Sequence, residues 1–158
     1  MVVSAGLVVF RRGPGGLQVL VAHMGGPFWA RRERAWTIPK GLPDEGEDPL
    51  GAAAREFTEE LGAPPPPARD DIPLGEVRQS GGKRVVAWAR EALADDEAHA
   101  LDGPVASNLA VVEWPPRSGR MVEVPEVDRV AWLTPHEARA VVVAAQAEFF
   151  TRLEGLLA

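Results

Sequence analysis

One segment constrains this chain more than any other: the run from Gly41 to Ala63, which reads GLPDEGEDPLGAAAREFTEELGA. Asp48 followed by Pro49 is typical of a helix start, because Asp accepts a hydrogen bond from a free amide and Pro lacks the amide that would be unpaired. Gly62, which is followed by prolines, is typical of a helix end. The segment therefore predicts a helix between Asp48 and Gly62.

The predicted helix has an apolar face and a separate acidic face. Its core-facing residues recur at helical spacing and are Leu50, Ala53, Ala54, Phe57 and Leu61. Glu56 and Glu60 lie one turn apart on another face, with Glu59 beside them. Like charges at this spacing cost roughly 0.2–0.5 kcal/mol per pair, so either solvent or a counter-charge must balance them. Carboxylate oxygens suit a hard cation such as Mg²⁺.

The same segment resembles the Nudix box, a glycine, five residues, Glu, seven residues and Arg-Glu-apolar-x-Glu-Glu-x-Gly-apolar. The seven fixed positions are all matched, by Gly41, Glu47, Arg55, Glu56, Glu59, Glu60 and Gly62. Ala63 is smaller than the usual last residue of the box. The resemblance implies a single domain over residues 1–158, with the box at 41–63 and an α/β/α sandwich fold around a mixed β-sheet.

The resemblance also implies roles for individual residues. The glutamates Glu56, Glu59 and Glu60 would bind Mg²⁺, for which Mn²⁺ is a substitute, and one of them can act as the base. Arg55 would orient a glutamate by ion pairing, so it is counted with the glutamates as catalytic. Lys40 would lend its backbone carbonyl to a metal and contact substrate. Gly41, Glu47 and Gly62 would support the box.

In such enzymes a further acid outside the box often joins the metal or acts as base, from a loop shortly before a tryptophan-containing strand. Glu126, which precedes Trp132 in EVDRVAWL, fits this place best. Glu123 is the alternative. Either residue is also compatible with an ordinary surface position.

Composition narrows the class of protein and its partners. The chain has 158 residues, no cysteine and a formal net charge of −6. The missing cysteines exclude disulfides and thiolate metal sites, and they also exclude the cysteine chemistry of isopentenyl diphosphate isomerases. The negative charge disfavours binding to long nucleic acids. No leader or long apolar run is recognisable, so we expect a cytoplasmic protein without membrane association. The sequence indicates no oligomeric state.

The remaining patterns predict strands on both sides of the box. Residues 2–10 and 17–23 predict a hairpin around the turn RRGPGG, and residues 83–92 and 129–133 predict further strands. Residues 108–114 are a weaker strand prediction. Loops are expected at 24–35, 93–104 and 115–127, and a stiff connector at 63–71. Strands combined with two helices predict a sheet covered on both faces.

The second helix is predicted from Thr134 to about Leu156. Thr134, Pro135 and Glu137 form a capping-box pattern with proline at the first helical position. Its predicted buried stripe consists of Ala138, Val142, Ala145, Phe149 and Leu153.

Two loops are candidates for substrate binding. In MGGPFWARRERAW, Trp29 or Phe28 could stack on a base, and arginines could contact phosphates. Those arginines are Arg31, Arg32 and Arg34. In WPPRSGRMVEVPE, Arg117 and Arg120 flank a flexible Ser-Gly pair. The aromatics could equally be core residues and the arginines solvated. His23 ends a strand before a glycine pair, which could place it near the site, but a structural role is the favoured interpretation.

The expected activity is metal-dependent hydrolysis of a diphosphate bond in a nucleoside diphosphate linked to another group. The loops resemble those of predicted nucleoside triphosphate pyrophosphohydrolases. The asymmetric diadenosine tetraphosphate hydrolases are the alternative, but Ile38 and Leu42 replace the proline and histidine of their tryptophan–PPKGH run. A non-catalytic nucleotide sensor or interaction module of the same fold is the alternative from another class.

Overall fold

The computed structural model describes residues 2–93, 101 and 105–158. Within these residues, a seven-stranded sheet contains β1 (Val3–Gly13), β2 (Gly16–Met24), β3 (Trp36–Thr37), β4 (Lys40–Gly41), β5 (Ile72–Arg78), β6 (Arg84–Glu91) and β9 (Val127–Leu133). A separate hairpin contains β7 (Leu109–Glu113) and β8 (Met121–Pro125). The helices are α1 (Pro49–Leu61), α2 (Pro135–Val141) and α3 (Ala147–Leu157), with short 3₁₀ turns at Ser80–Gly82 and Ala144–Gln146.

The main sheet is mixed. Its order is β3-β2-β1-β6-β5, with β4 paired to β1 and β9 paired to β2. β1 and β6 run parallel, in register from Val3 opposite Arg84 to Phe10 opposite Glu91. The other strand pairs of the described sheet are antiparallel. The mixed sheet agrees with the fold that the sequence predicts.

The alternation of β1 divides the core into two apolar clusters, one on each face of the sheet. Leu7 belongs to the cluster that contains Phe57 of α1. Val8 belongs to the opposite cluster, which contains Phe149 and Phe150 of α3. Because successive side chains of a strand point to opposite faces, β1 anchors both helical layers. The α/β/α arrangement is confirmed.

All five predicted strands are present, but four strands were not predicted: the two-residue strands β3 and β4, and the longer strands β5 and β8. β5 contains Pro73 and Gly75, which interrupt the alternation and coincide with a register shift against β6. β8 lies inside the expected loop 115–127 and is stabilised by pairing with β7, as in Val112 opposite Val122. The expected acidic loop at 93–104 lies almost entirely outside the described residues. Among those residues, no helix is long and apolar enough to cross a bilayer.

The prediction of one continuous C-terminal helix is wrong. The chain leaves the helical conformation at Val142, whose φ and ψ are −78° and 162°. Val143 then donates its amide to the Trp36 carbonyl at 2.9 Å. Consecutive β-branched residues favour this extended conformation. The capping box and most of the predicted buried stripe are nevertheless confirmed, since Ala138, Val142, Phe149 and Leu153 are fully buried and Ala145 is partly buried.

This break predicts a measurable effect of proline at residue 143. Val143 has φ −46°, which is close to the range that proline adopts, so Val143→Pro removes chiefly the amide that bonds Trp36. We expect the free energy of unfolding to fall by about 1 kcal/mol more than in the control Val143→Ala. Urea unfolding measures both variants. Equal stability of the two would contradict a role for this hydrogen bond.

Candidate active site

Helix α1 carries most of the site, and its ends form as the sequence predicts. The Asp48 side chain accepts a hydrogen bond from the Gly51 amide at 3.2 Å, and Pro49 occupies the first turn. Gly62 ends the helix with φ +73°, a conformation that favours glycine. The core face contains Ala53, Phe57 and Leu61 as expected, whereas Ala52 rather than Ala54 is fully buried.

Arg55 lies at the centre of the acidic face. Its Nε and Nη2 donate to both carboxylate oxygens of Glu47 at 2.9 Å, and Nη2 also donates to the Leu42 carbonyl at 3.1 Å. Its Nη1 donates to Glu56 at 3.1 Å and to Glu59 at 3.0 Å. These bonds, with one from the Asp44 amide, lower the pKa of Glu47 to about 2 and raise the pKa of Arg55. The guanidinium thus joins the loop before α1 to the helix.

Gly41 allows the Glu56 carboxylate to lie directly against the chain. A Cβ at Gly41 would lie 2.1 Å from the Glu56 Cδ, which is far inside van der Waals contact. β4 is held in place by its pairing with β1, where Gly41 is opposite Ala5. Any side chain at Gly41 would therefore have to displace the carboxylate or the strand.

Glu60 and Lys40 are well-buried charged residues that lie next to each other in the site. The Lys40 amide donates to Glu60 Oε2 at 3.3 Å. The pKa of Glu60 is raised to about 8, chiefly by burial and also by the neighbouring charges of Glu56 and Glu126, against the opposing effect of Lys40. Burial also lowers the pKa of Lys40. The pKa of Glu56 is raised as well, first by burial. The charged forms of Glu56 and Glu60 are therefore disfavoured by their surroundings, and a cation beside them would relieve this cost.

Glu126 lies near these carboxylates, whereas Glu123 does not line the same cavity. The backbone of Glu126 is fixed on both sides, because its amide donates to the Asn108 carbonyl at 2.9 Å and its carbonyl accepts from Gly25 at 3.0 Å. Its charge raises the pKa of both Glu56 and Glu60. Glu123 is exposed on β8, opposite Val111. The geometry favours Glu126 as the acid outside the box.

A cavity of about 530 Å³ opens beside Glu60, Glu126 and Lys40. The loop before β3 provides Phe28 and Trp29 as part of its wall. The β7–β8 hairpin covers it with Ala110, Val112 and Val124, followed by Trp114 and Pro116. Neither this hairpin wall nor the place of Trp114 in it was predicted from the sequence. The alternation of VVEW and MVEVP was the available signal, since it leaves one face of each strand apolar.

Two of the loop arginines have structural contacts. Arg34 donates from Nη1 to the carbonyls of Arg139 and Val142, both at 3.0 Å, and so covers the C-terminal end of α2. Arg32 donates to the Phe28 carbonyl at 3.0 Å and stacks over the Phe28 ring. The prediction that these two residues contact phosphate is not supported.

Arg31 and Arg117 are exposed and do not line the cavity. Their neighbours Trp29 and Pro116 do. Arg120 is also exposed, outside the lining. The structure thus brings Trp29 and Lys40 together with the acids and leaves the arginines at the surface around them.

His23 has a structural environment. It is buried, its Nδ1 lies 2.9 Å from Asp128 Oδ1, and its ring contacts Trp36 edge-to-face with the centroids 5.1 Å apart. It is absent from the cavity wall. The structural interpretation of His23 is the one that these contacts favour.

The donor set fits a divalent cation that completes its coordination with water and substrate. Among the described residues, no group of three or more acidic or histidine side chains is already arranged to hold a metal ion. Glu56, Glu60 and Glu126 nevertheless provide hard oxygen donors whose negative charges repel one another in a partly buried setting. Proteins commonly bind Mg²⁺ in this way, through one or two carboxylates, several waters and substrate phosphates.

Comparison with known proteins places this arrangement in a family. A family model for the NUDIX domain matches residues 2–153. The chain belongs to the Nudix family. It is accordingly a hydrolase that acts on pyrophosphate bonds. A search of curated proteins finds no significant match.

Solved structures of Nudix proteins share this fold over nearly the whole chain. An Ap4A hydrolase from C. elegans, in a binary complex, is 21% identical with a TM-score of 0.66, and the match covers 99% of this chain and 98% of that one. The NUDIX domain of Shewanella oneidensis NrtR, complexed with ADP ribose, is 16% identical with a TM-score of 0.65, covering 100% and 89%. A MutT protein from Methanosarcina mazei is 18% identical with a TM-score of 0.59, covering 99% and 94%. At these identities the likeness establishes the fold.

The close approach at Gly41 predicts a strong effect of a single methyl group. Gly41→Ala should lower kcat/KM by at least about 10-fold, because the Glu56 carboxylate or β4 must move. Gly51→Ala is the matched control, since its Cβ would meet only Asp48 Oδ2 at 4.0 Å and a helical alanine is favourable. Steady-state kinetics and thermal unfolding test both. Gly41→Ala with wild-type kinetics would contradict the described contact.

The raised pKa of Glu60 predicts that the metal-free protein becomes less stable as the pH rises. A carboxyl whose pKa is higher in the folded state favours folding while it is protonated. That contribution is complete below its unfolded pKa of 4.5 and is lost as the pH rises through about 8. In a chelator at pH 8.5, Glu60→Gln should therefore be more stable than the natural chain by on the order of 2 kcal/mol.

The advantage of Glu60→Gln should nearly vanish at pH 5, where Glu60 is protonated in the folded protein. Glu123→Gln, at an exposed position on β8, is the control and should show no such difference. Urea unfolding at both pH values measures the effect. A Glu60→Gln variant that is less stable than the natural chain at pH 8.5 would contradict the prediction.

Proposed function

We propose that this Nudix protein is an Mg²⁺-dependent hydrolase of a nucleoside diphosphate linked to another group, and specifically a nucleoside triphosphate pyrophosphohydrolase. The supporting observation is the position of Glu60, Glu126 and Lys40 in the wall of a cavity that also contains Trp29 and Trp114. In this cavity, the phosphate chain of a nucleotide could lie beside the acids while its base stacks on the aromatic rings. Function in the cytoplasm is part of the proposal.

Mg²⁺, or Mn²⁺ in its place, would be held by Glu56, Glu59, Glu60, Glu126 and the Lys40 carbonyl. Both oxygens of Glu59 accept from the same Arg55 Nη1, so each keeps a lone pair for another partner. When bound, the metal would neutralise phosphate charge and lower the pKa of the attacking water.

The chain's own groups would then divide the remaining tasks. Arg55 fixes Glu56 and Glu59 and so prevents their repulsion from spreading them apart. Glu126 is exposed at the edge of the cavity, where it could accept a proton from an incoming water. The Lys40 ammonium would meet a phosphate oxygen, and the Trp29 ring would stack on the base. Arg31 and Arg117 would contact the distal phosphates from the loops beside the cavity.

Asymmetric diadenosine polyphosphate hydrolysis is the second candidate. It is favoured by the match in shape to the C. elegans Ap4A hydrolase over nearly the full length of both chains. A catalytically silent sensor is the candidate from another class. Against it, Arg55 keeps its contacts with Glu47, Glu56 and Glu59, and Glu60 is held by the Lys40 amide.

A substrate screen separates these functions. The purified chain would be incubated with Mg²⁺ and nucleoside triphosphates, diadenosine polyphosphates, ADP-ribose and other nucleotide sugars, and products would be resolved by ion-exchange chromatography. We expect a monophosphate and pyrophosphate from a triphosphate, with loss of turnover in EDTA and recovery in Mn²⁺. ATP and AMP from diadenosine tetraphosphate would instead establish the second candidate. Nucleotide binding without turnover of any substrate would favour the sensor.

Charge removal at the two acids tests their roles. Glu60→Gln should lower kcat on the order of 10³-fold while the protein stays folded, because a metal ligand is lost. Glu126→Gln should lower kcat by about 10-fold and weaken metal activation. Glu123→Gln is the matched control and should keep wild-type kinetics. A folded Glu60→Gln variant with wild-type turnover would refute the proposed metal site, and an unchanged metal dependence in Glu126→Gln would remove that residue from it.

A further inference from the structure

Gln146 is a fully buried polar residue that lies far from the box in sequence and is not explained by the core around it. It ends the 3₁₀ turn that interrupts the C-terminal helical region. Its Oε1 accepts from the Ile38 amide at 2.8 Å. Its Nε2 donates to the Thr37 hydroxyl and to Gln79 Oε1, both at 3.0 Å.

The hydrogen-bond pattern fixes the orientation of the Gln146 amide. The Ile38 amide can only donate, so the oxygen of Gln146 must face it. The Thr37 hydroxyl has one proton, and it donates this proton to the Ile38 carbonyl at 2.8 Å rather than to Gln146 Oε1 at 3.3 Å. Its oxygen is therefore free to accept from Gln146 Nε2. A carboxylate lacks the two donors and an aliphatic side chain lacks every partner. The position thus selects an amide.

The segment that Gln146 holds leads directly to the acids. Beyond Ile38, the Pro39 carbonyl accepts from the Leu7 amide at 3.1 Å. Lys40 then donates its amide to Glu60, and Gly41 lies against Glu56. The strands on either side of Ile38 and Pro39 are only two residues long. Because ladders this short contribute few hydrogen bonds between them, the Ile38 amide bond to Gln146 adds a restraint at the centre of residues 37–41.

We infer that Gln146 is a positioning residue for the reaction, which holds residues 37–41 so that Lys40 and Gly41 meet Glu60 and Glu56 in the metal-binding geometry. Gln79 supports it by accepting its second amide hydrogen. The inference rests on the proposed function for its kinetic consequence, but its structural content concerns the carboxylate geometry alone.

The decisive variant is Gln146→Leu, which keeps the approximate volume and removes every polar partner. We expect kcat to fall by about 10-fold or more with KM within about twofold, and Mn²⁺ binding, followed by electron paramagnetic resonance, to weaken by a similar factor. Gln79→Leu should produce a smaller change of the same kind, and Gln79→Glu, which keeps the acceptor, should lose less than Gln79→Leu. The double variant should be no worse than Gln146→Leu, because both act through one contact.

Leu153→Val is the matched control, since Leu153 is fully buried in the same apolar cluster as Ile38 and makes no hydrogen bond to residues 37–41 through its side chain. It should lower stability while leaving kcat and Mn²⁺ affinity unchanged. Wild-type kcat and Mn²⁺ affinity in a folded Gln146→Leu variant would overturn the inference. The inference would also be overturned if Leu153→Val lost as much kcat and Mn²⁺ affinity as Gln146→Leu at the same thermal stability.

The inference can still be tested if Gln146→Leu does not fold or if the natural chain proves inactive. If Gln146→Leu does not fold, Gln79→Leu and Gln79→Glu carry the test, and equal kcat in these two variants would overturn it. If the natural chain hydrolyses no compound in the screen, the proposed function fails, while weaker Mn²⁺ binding in Gln146→Leu would still support the positioning of the carboxylates.

Discussion

The interaction on which the site depends is the hydrogen-bonded contact of Arg55 with Glu47, Glu56 and Glu59. Without this cation, the carboxylates of α1 would repel one another and the loop before the helix would lose its main attachment. The bidentate bond to Glu47 uses the planar geometry of the guanidinium, which lysine cannot reproduce. Arg55 thus attaches the loop before α1 to the helix and at the same time balances part of the negative charge of the helix.

The arrangement combines a stable scaffold with an unfavourable charge distribution. The apolar cluster that contains Ala53, Phe57 and Leu61 packs α1 against the sheet, and this packing places Glu60 where burial disfavours its charged form. A cation that binds only the folded protein would relieve this penalty and stabilise the fold by mass action. If Glu60 binds metal as proposed, the same burial that disfavours its charge in the empty protein would favour cation binding, and a neutral residue there would both stabilise the empty protein and inactivate it.

The parts of the structure that could be predicted from sequence are those encoded locally. Asp48, Gly62 and the spacing of Phe57 and Leu61 define α1 within one segment, and the acids follow from the same helical period. The interruption of the C-terminal helix at Val142 could not be predicted, because the competing hydrogen bond comes from Trp36, a residue distant in sequence. The strong capping box and apolar stripe both favoured a helix, and tertiary pairing prevailed over them.

The same distinction applies to the predicted substrate contacts. The sequence alone provided no basis for distinguishing the loop arginines as phosphate ligands. In the structure, Arg34 bonds carbonyls at the end of α2 and Arg32 stacks on the Phe28 ring. Of the described residues that line the cavity, Lys40 is the one cation. A polyphosphate entering this cavity would meet more carboxylate than positive charge, so the protein groups alone would repel it. If the proposed substrate is correct, its binding beside these carboxylates would be favoured by a metal that is present first or arrives with it, and metal dependence would then follow from binding as well as from chemistry.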